Sequence, residues 1–524
     1  MALSQWRRMG SARSAPLTHH PTTVMHVIPL HTALSHEPAH RGRGGIFRVA
    51  FSAPAILLGS TLWAFAATEP VVLENYKGGE TIRYTVPLIR GTLADKDLTT
   101  VEVVNESSKR DTARMTCLAY GGRFKALTEL VPGVNHLVIQ AGKHRKTLDL
   151  TYQPQTNANV VRMVYAVDST GDTTYQTPIK GDAQDYVGKL GTMMLMMQTF
   201  SAERMNDIGM GRKTFNLELD ANGKVKVHVM KCNKTAQEVF TMGGGRGKLF
   251  SYLAGQTNTN LPSKNSRNVI YAGFSRFNPE TKQNMAYTAL GGGNTAVFGG
   301  TNMYCYPSRL ADIQKAFMNA TAIDTDNFSS DSAGRHAFWA NASTSIGATL
   351  HETGHTFDLP HVRDWTGVMS RGFDFFSRFW TLQEAPKRGQ TKLTDFKEDR
   401  GAKWELGSAA FLNSSPWFAL DAREYPKENR IQARLGSSPD SFIVESPDGI
   451  GAVILGRPGL VSGAVPMDWT KPAPKSVAVT TQMFDPKDDE GGKAWLRIID
   501  SQGHVKNVPL KNLRAPTPPS PVKK

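Results

Sequence analysis

Three histidines and one glutamate stand at a spacing that suits a metal-dependent hydrolase. The segment His351-Glu-Thr-Gly-His355-Thr-Phe-Asp-Leu-Pro-His361 contains the pattern HExxH, and a third histidine follows six positions after the second. Positions i and i+4 of an α-helix share one face, so His351 and His355 can direct both imidazoles at one ion. The sequence therefore predicts a catalytic zinc site with His351, His355 and His361 as its ligands.

Glu352 lies one residue further round the same predicted helix, beside the ion rather than on it. From there its carboxylate can take a proton from water that the metal activates, and later pass the proton to a leaving amine. Zinc lowers the pKa of its bound water to about 7 and polarises the carbonyl under attack. The motif thus indicates hydrolysis of a peptide or amide bond, with Glu352 as general base and one Zn²⁺ as cofactor.

A helix followed by a turn must position these groups. Residues 343–357 are predicted to be helical, with Ser343 or Ser345 as the N-cap. Pro360 cannot continue that helix, because it lacks the backbone N–H and its ring clashes with the preceding turn. We expect the chain to turn there and to return His361 to the metal.

These residues resemble the signature of the metzincin zinc endopeptidases, which is HExxHxxGxxH followed by a methionine turn. Met369 lies eight positions after the third histidine, where this turn would form an apolar floor under the ligands. The likeness is greatest to a zinc metallopeptidase family known largely from fungi, some members of which carry a C-terminal lectin-like domain. The resemblance covers residues 180–400 and is specific from 345 to 380.

Two positions depart from the metzincin pattern. Asp358 replaces the glycine of the turn, and we expect the turn to persist because Asp is one of the few other residues that tolerate a left-handed backbone. Arg371 stands where some metzincins place a tyrosine that stabilises the tetrahedral intermediate. We expect Arg371 to form a surface or structural salt bridge, with an electrostatic role towards the oxyanion as the alternative. The aromatic run over 370–380 is predicted to be core.

Composition favours an enzyme with accessory modules. The 524 residues are 40% hydrophobic, which is enough for two or three cores. The net charge is +15, but no basic helix or zinc-finger spacing accompanies it, so no nucleic-acid partner is expected. The run Gly243-Gly-Gly-Arg-Gly-Lys248 lacks the Walker residues on either side and is predicted to be a flexible loop. Cys117, Cys232 and Cys305 allow at most one disulfide.

The first 67 residues are typical of a targeting segment. Three arginines between positions 41 and 48 precede an apolar run over 49–66, which ends in Ala64-Phe65-Ala66. This order of charged, apolar and small residues predicts a secretory signal, with cleavage near Ala66 or Ala67. The apolar run has about 18 residues, so an uncleaved membrane anchor over 49–66 is the alternative.

We predict an α+β protein in which a metzincin-like peptidase domain lies between two β-sandwich-like modules. The predicted boundaries are 1–67 for the leader, 68–167 for the first β-module, 181–400 for the peptidase, 401–512 for the C-terminal β-domain and 513–524 for a disordered tail. Strands are expected at 100–104, 136–140 and 160–165 in the first module. In the last β-domain they are expected at 441–445, 452–455, 476–480 and 494–499.

Within the peptidase region a helix is predicted from Asp182, because apolar residues recur there at helical spacing. A hairpin should join 215–219 to 225–229, and further strands are expected at 268–274 and 296–306. In enzymes of the resembled group, the strand nearest the cleft pairs with extended substrate, and such pairing is a general way to hold a peptide. We assign that role to 296–306.

The sequence is interpreted as an exported zinc-dependent endopeptidase that acts on protein or peptide. Two alternatives stay open. One is a surface-binding or adhesion protein whose β-modules do the work and whose zinc site is vestigial. The other is a zinc amidase with a non-protein substrate. In either case the β-modules are candidates for contact with glycans or a cell surface.

Overall fold

The computed structural model describes residues 69–514, so the predicted signal or anchor, and most of the predicted disordered tail, lie outside the described residues. The described part is mixed α+β, as predicted. None of its helices combines the length and the apolar character needed to cross a bilayer. Cys117, Cys232 and Cys305 are all buried and unbridged, so stability comes from packed cores rather than from disulfides among them.

Alternating apolar and polar residues form eight short strands in the first part of the described chain. They are β1 (Val71–Leu73), β2 (Glu80–Ile82), β3 (Leu88–Leu93), β4 (Thr100–Asn105), β5 (Arg114–Tyr120), β6 (Arg123–Leu127), β7 (Gly133–Ala141) and β8 (His144–Tyr152). They join one sheet in the order β1-β3-β6-β5-β4-β7-β8-β2. The strands predicted at 100–104 and 136–140 are therefore present.

A second, mostly parallel sheet carries the elements around the histidines. The chain continues through β9 (Val160–Val167), α1 (Tyr186–Asp207), β10 (Asn216–Leu217), β11 (Val227–Lys231), α2 (Ala236–Phe240), α3 (Gly245–Asn260), β12 (Ser266–Ala272), β13 (Arg276–Asn278), β14 (Gln283–Met285), β15 (Ala289–Gly292) and β16 (Thr295–Gly299). The sheet order is β10-β9-β12-β16-β15, and β11 also pairs with β9. Only β15 runs antiparallel to its neighbour.

The structure corrects the predicted place of 160–165. This strand, β9, pairs with β10, β11 and β12 in the second sheet rather than with the first eight strands. Most of its side chains are buried, as in a central parallel strand that is covered on both faces. The apolar run correctly predicted a strand, but it carried no information about which strands it would pair with.

Three further local predictions need correction. The expected hairpin over 215–229 is reduced to a single antiparallel bridge between Leu219 and Val225. The two strands pair with β9 instead of with each other, because β10 and β11 both run parallel to it. The run after Gly243 is only partly loop, since α3 begins at Gly245 and is held by buried Leu249 and Leu253. The predicted helix from Asp182 is present as α1, starting four residues later.

The assignment of residues 296–306 as the strand that pairs with substrate was wrong. Residues 296–299 belong to β16, which lies between β12 and β15, and 300–305 form a 3-10 helix. The edge strand is instead β15, with the sequence Ala-Leu-Gly-Gly. Such a strand has almost no β-branched or aromatic residues, so propensity could not reveal it.

The active-site helix and its support follow the second sheet. The elements are α4 (Ile313–Phe317), α5 (Phe338–Thr356), β17 (His361–Val362), α6 (Ser377–Trp380), β18 (Gln383–Glu384), β19 (Thr394–Asp395) and α7 (Leu406–Ser414). Helix α5 begins five residues before the predicted start, with Ala337 as N-cap. Ser343 and Ser345 are buried inside it, and Ser345 Oγ donates to the Asn341 carbonyl, so burial rather than side-chain capping sets its beginning.

The C-terminal part contains the remaining strands and a short helix. These are β20 (Gln432–Leu435), β21 (Ser441–Glu445), β22 (Ile450–Arg457), β23 (Leu460–Ala464), β24 (Ser476–Thr480), β25 (Trp495–Asp500), β26 (Val505–Pro509) and α8 (Leu510–Arg514). All four strands predicted here are present. They form two sheets, β20-β21-β24 and β17-β23-β22-β25-β26. The second sheet includes β17, which carries His361.

One large apolar core joins the first sheet, α1 and α5, and the predicted core aromatics Phe376, Phe379 and Trp380 are buried in it. A second core lies among the C-terminal strands. A third lies between α3 and the second sheet. The helix that bears HExxH is therefore surrounded by packed structure, which limits its movement.

Candidate active site

The three predicted histidines meet at one point. The ring centroids of His351 and His355 are 4.8 Å apart, those of His355 and His361 are 4.8 Å apart, and those of His351 and His361 are 5.3 Å apart. One ring nitrogen from each lies within 4.8 Å of the others. This arrangement could hold one metal ion, with a further coordination position open to a substrate.

Main-chain carbonyls orient two of the rings. His351 Nδ1 lies 2.7 Å from the Val368 carbonyl oxygen, and His355 Nδ1 lies 2.8 Å from that of Leu359. Because a carbonyl only accepts, each Nδ1 must donate, and each Nε2 keeps its lone pair for a metal. Burial lowers the pKa of His351 well below its usual range and that of His355 to about 4. Both rings are therefore neutral, as metal binding requires.

The turn that delivers His361 forms as predicted around Asp358. Its φ is +65°, in the left-handed region that Asp tolerates better than most non-glycine residues. The Asp358 and Leu359 N–H groups donate to the carbonyls of His355 and Gly354, at 3.1 Å each. These bonds satisfy the last carbonyls of α5 and end it. His361 then enters β17.

Glu352 is buried next to His351, facing the edge strand. Burial raises the pKa of its carboxyl to about 8, and the backbone of Gly291 in β15 opposes that shift. A raised pKa makes the carboxylate a stronger proton acceptor than an exposed glutamate. The strand approaches so closely that a Cβ added at Gly291 would lie 2.0 Å from the backbone oxygen of Glu352.

Met369 is buried against the helix at Gly354. It is 1% exposed, and a Cβ added at Gly354 would lie 2.4 Å from its sulfur. The Met369 carbonyl accepts the Val362 N–H at 3.1 Å, which links the methionine to the strand of His361. Contact with Met369 leaves no room for a larger side chain at position 354, which explains a glycine inside the helix despite its poor helix propensity.

Arg371 forms the structural salt bridge that we expected. Its guanidinium lies 2.7 Å from the carboxylate of buried Asp374 and 4.9 Å above the ring of Phe373. Asp374 also accepts a hydrogen bond from the Thr344 hydroxyl of α5 at 3.1 Å. The guanidinium is therefore held beside α5 by an ion pair.

Sequence reasoning missed two features of the site. One is β15, whose only signal was the glycine run Gly291-Gly-Gly293. The other is the pairing of β17 with β23, which joins His361 to Leu460 and Val362 to Val461. No local pattern reveals such a contact, because two residues are too few to show periodicity and their partners lie far along the chain.

A second group that resembles a metal site has another explanation. Asp448, Asp500 and His504 bring ligand atoms together, but His504 uses both ring nitrogens, towards Asp500 at 2.9 Å and the Pro426 carbonyl at 2.6 Å. Asp448 is ion-paired with Arg430. Both partners of His504 only accept hydrogen bonds, so the ring is a cation and not a ligand.

Comparison with known proteins agrees with this site. Proteins named Putative zinc metalloproteinase in Schizosaccharomyces pombe and Saccharomyces cerevisiae are 26% identical over 338 residues and 24% identical over 296 residues. These matches cover 60% and 50% of this chain, and 54% and 42% of the two relatives, so the chain spans about half their length.

Among solved structures, wild-type OgpA from Akkermansia muciniphila is similar over 67% of this chain and 92% of its own, with 17% identity and a TM-score of 0.42. Catalytically inactive OgpA in complex with an O-glycopeptide is similar over the same shares, with 16% identity and a TM-score of 0.39. The model of a protein family described as Putative peptidase family matches residues 70–449. This match spans well over half of the sequence and includes HExxH, so the chain belongs to that peptidase family.

Proposed function

We propose that this chain is a zinc-dependent endopeptidase that hydrolyses peptide bonds within proteins or peptides. One observation carries the proposal: the imidazoles of His351, His355 and His361 bring one ring nitrogen each within 4.8 Å of the others, beside a buried glutamate. That combination provides three metal ligands and a separate proton acceptor, as hydrolysis by a metallopeptidase needs. The metzincin character of the domain is part of this proposal and rests on the turn at Asp358 and on Met369.

His351, His355 and His361 would hold the ion through the nitrogens that the carbonyl contacts leave free. When bound, zinc would polarise the scissile carbonyl and increase the acidity of water. Glu352 would take the proton of the attacking water and deliver it to the leaving amine. Burial supports this exchange, because it raises the pKa of the Glu352 carboxyl and so favours uptake of the proton.

The edge strand β15 offers a way to hold an extended substrate. It is the last strand of its sheet among residues 69–514 and lies against Glu352 through Gly291. A peptide added to such an edge gains main-chain hydrogen bonds whatever its side chains are. A cavity of about 670 Å³, lined in part by Tyr287 and Asp331, adjoins the beginning of β15.

Export is the part of the proposal that rests on the N-terminal sequence alone. The leader over 1–67 would direct the chain out of the cytoplasm, and N-terminal sequencing of the protein recovered from the culture medium would locate the cleavage. A mature chain that begins near Ala67 supports a cleaved signal. Recovery only in the membrane fraction, with the run over 49–66 intact, supports the anchor.

Hydrolysis of casein and of a mixed peptide library by the purified chain tests the function. We expect cleavage at internal bonds, loss of activity with a chelator, recovery with zinc, and a fall of at least about 10²-fold in kcat for Glu352→Gln, the lower end of what a positioned base contributes. Full proteolysis by Glu352→Gln would refute the assigned base. Chelator-sensitive hydrolysis of non-peptide amides alone would favour the amidase, and glycan or surface binding by metal-free protein without hydrolysis would favour the adhesion protein.

A further inference from the structure

The strand that carries the third histidine belongs to the C-terminal sheet. In β17, His361 lies beside Leu460 and Val362 beside Val461, in parallel pairing with β23. The next residue continues the contact, because the Arg363 N–H donates to the Val461 carbonyl at 3.0 Å. Val362 and Val461 are both buried. The backbone of the third ligand is therefore held by a strand of the C-terminal sheet.

An ion pair adds a second attachment just behind the ligand. Arg363 donates to the Asp488 carboxylate, which is fully buried, and its guanidinium also lies 3.5 Å from Asp485. Arg363 is the one cation paired with Asp488 in the described part of the chain. A buried carboxylate needs such a partner, so the pair fastens β17 to the segment before β25.

His361 depends on this attachment more than its two companions do. His351 and His355 are oriented by ring hydrogen bonds to carbonyls, whereas no group within residues 69–514 is hydrogen-bonded to the His361 ring. Among the described residues, the carbonyl that accepts a hydrogen bond from each of the other two rings has no counterpart at this ring. Its direction must follow from the backbone of β17, and hence from the partners of that backbone.

We propose that the C-terminal sheet is a working part of the metal site, and that Arg363 is a positioning residue for His361. The inference rests on the proposed function in one respect, namely that the three histidines bind zinc. The family match ends at residue 449, so β22, β23 and Asp488 lie beyond the matched residues. Metal affinity in this chain is thus coupled to structure outside the matched region.

Zinc affinity of the full chain tests the proposal without any substrate. Competition with a chromophoric chelator would compare wild type, Arg363→Ala and Arg363→Lys with the control Arg434→Ala. Arg434 also forms an ion pair, with Glu445 between β20 and β21, but that sheet does not contain β17. We expect zinc binding to weaken by about 10- to 100-fold in Arg363→Ala, as when a group that orients a metal ligand is lost, and less in Arg363→Lys. Unchanged affinity in Arg363→Ala would overturn the inference.

Hydrogen exchange of wild-type protein provides a second test if Arg363→Ala does not fold. Coupling is reciprocal, so zinc must protect whatever structure favours zinc binding. We expect added zinc to slow exchange at 460–464 and 485–488, and to leave 432–435 unchanged. Equal exchange with and without zinc at 460–464 would refute the coupling. Tight zinc binding without peptide hydrolysis would instead refute the proposed function and leave this inference standing.

Discussion

Replacing Gly291 by alanine tests whether the edge strand positions the general base. The added Cβ would lie 2.0 Å from the Glu352 backbone oxygen, and ordinary contact begins at 3.4 Å. Strand and helix must therefore separate by about 1.4 Å, and a misplacement of about 1 Å can reduce the rate about 10²-fold. We expect kcat/KM to fall by about 100-fold, which corresponds to about 2.7 kcal/mol of lost transition-state stabilisation.

The neighbouring glycine provides a matched control. A Cβ at Gly292 would meet nothing within 4 Å, so Gly292→Ala makes the same chemical change in the same strand without the clash. Both variants would be assayed for peptide hydrolysis under identical conditions, and their zinc content and thermal unfolding would be measured. We expect Gly291→Ala to retain zinc, because none of the ligands is on β15. Activity of Gly291→Ala within threefold of Gly292→Ala would refute the reasoning.

Two further predictions concern stability. Gly354→Ala places a Cβ 2.4 Å from the Met369 sulfur, and we expect it to destabilise the fold by about 1–3 kcal/mol in urea unfolding. The control is Gly255→Ala, in the open middle of α3, which should stabilise the fold by up to about 1 kcal/mol. Equal effects of the two substitutions would contradict the packing argument. Burial lowers the pKa of His504, but Asp500 and the Pro426 carbonyl outweigh burial and raise that pKa above its usual value. The stabilisation from His504 should therefore be complete below the unfolded-state pKa of about 6.5 and fade as pH rises through the folded-state value. Thermal unfolding of His504→Gln against wild type should show a difference that shrinks from pH 6 to pH 9, and a constant difference would refute the charged ring.

The sequence predicts the part of the site that is local in the chain. HExxH lies on one helix, so the spacing of His351 and His355 is enough to bring their rings together. The break at Pro360 and the left-handed tolerance of Asp358 are also properties of single residues. Met369 could be assigned by its distance from His361, because the intervening turn is short.

The start of α5 could not be predicted from capping residues. Ser343 and Ser345 are favourable N-caps, yet both lie inside the helix. The helix extends back to Phe338 because Trp339 and Ala340 pack into an apolar cluster with Ala385. That stabilisation comes from residues distant in sequence, and tertiary packing routinely overrides local propensity.

The contact of β15 with α5 and the support of His361 are non-local. β15 pairs with β16, which follows it in the chain, but its approach to Glu352 at Gly291 could not be predicted, because a glycine that permits close approach looks in sequence like any loop glycine. β17 is too short to stand as a strand without β23, yet the two are separated by α6 and α7 in the chain. One sheet therefore contains strands from both sides of the predicted boundary between residues 400 and 401.

That shared sheet changes what the C-terminal strands can be. A module that merely binds a ligand or spaces two domains could be exchanged without disturbing a distant active site. Here β23 would lose its parallel neighbour, and β17 would lose the one strand that pairs with it within residues 69–514, if the two regions were separated. Without β23, β17 would keep the Val362 N–H bond to the Met369 carbonyl, but a two-residue segment outside a sheet is weakly held. The position of His361 therefore depends on folding of the chain on both sides of residue 400. Without that folding, His361 would not join His351 and His355 as the third ligand.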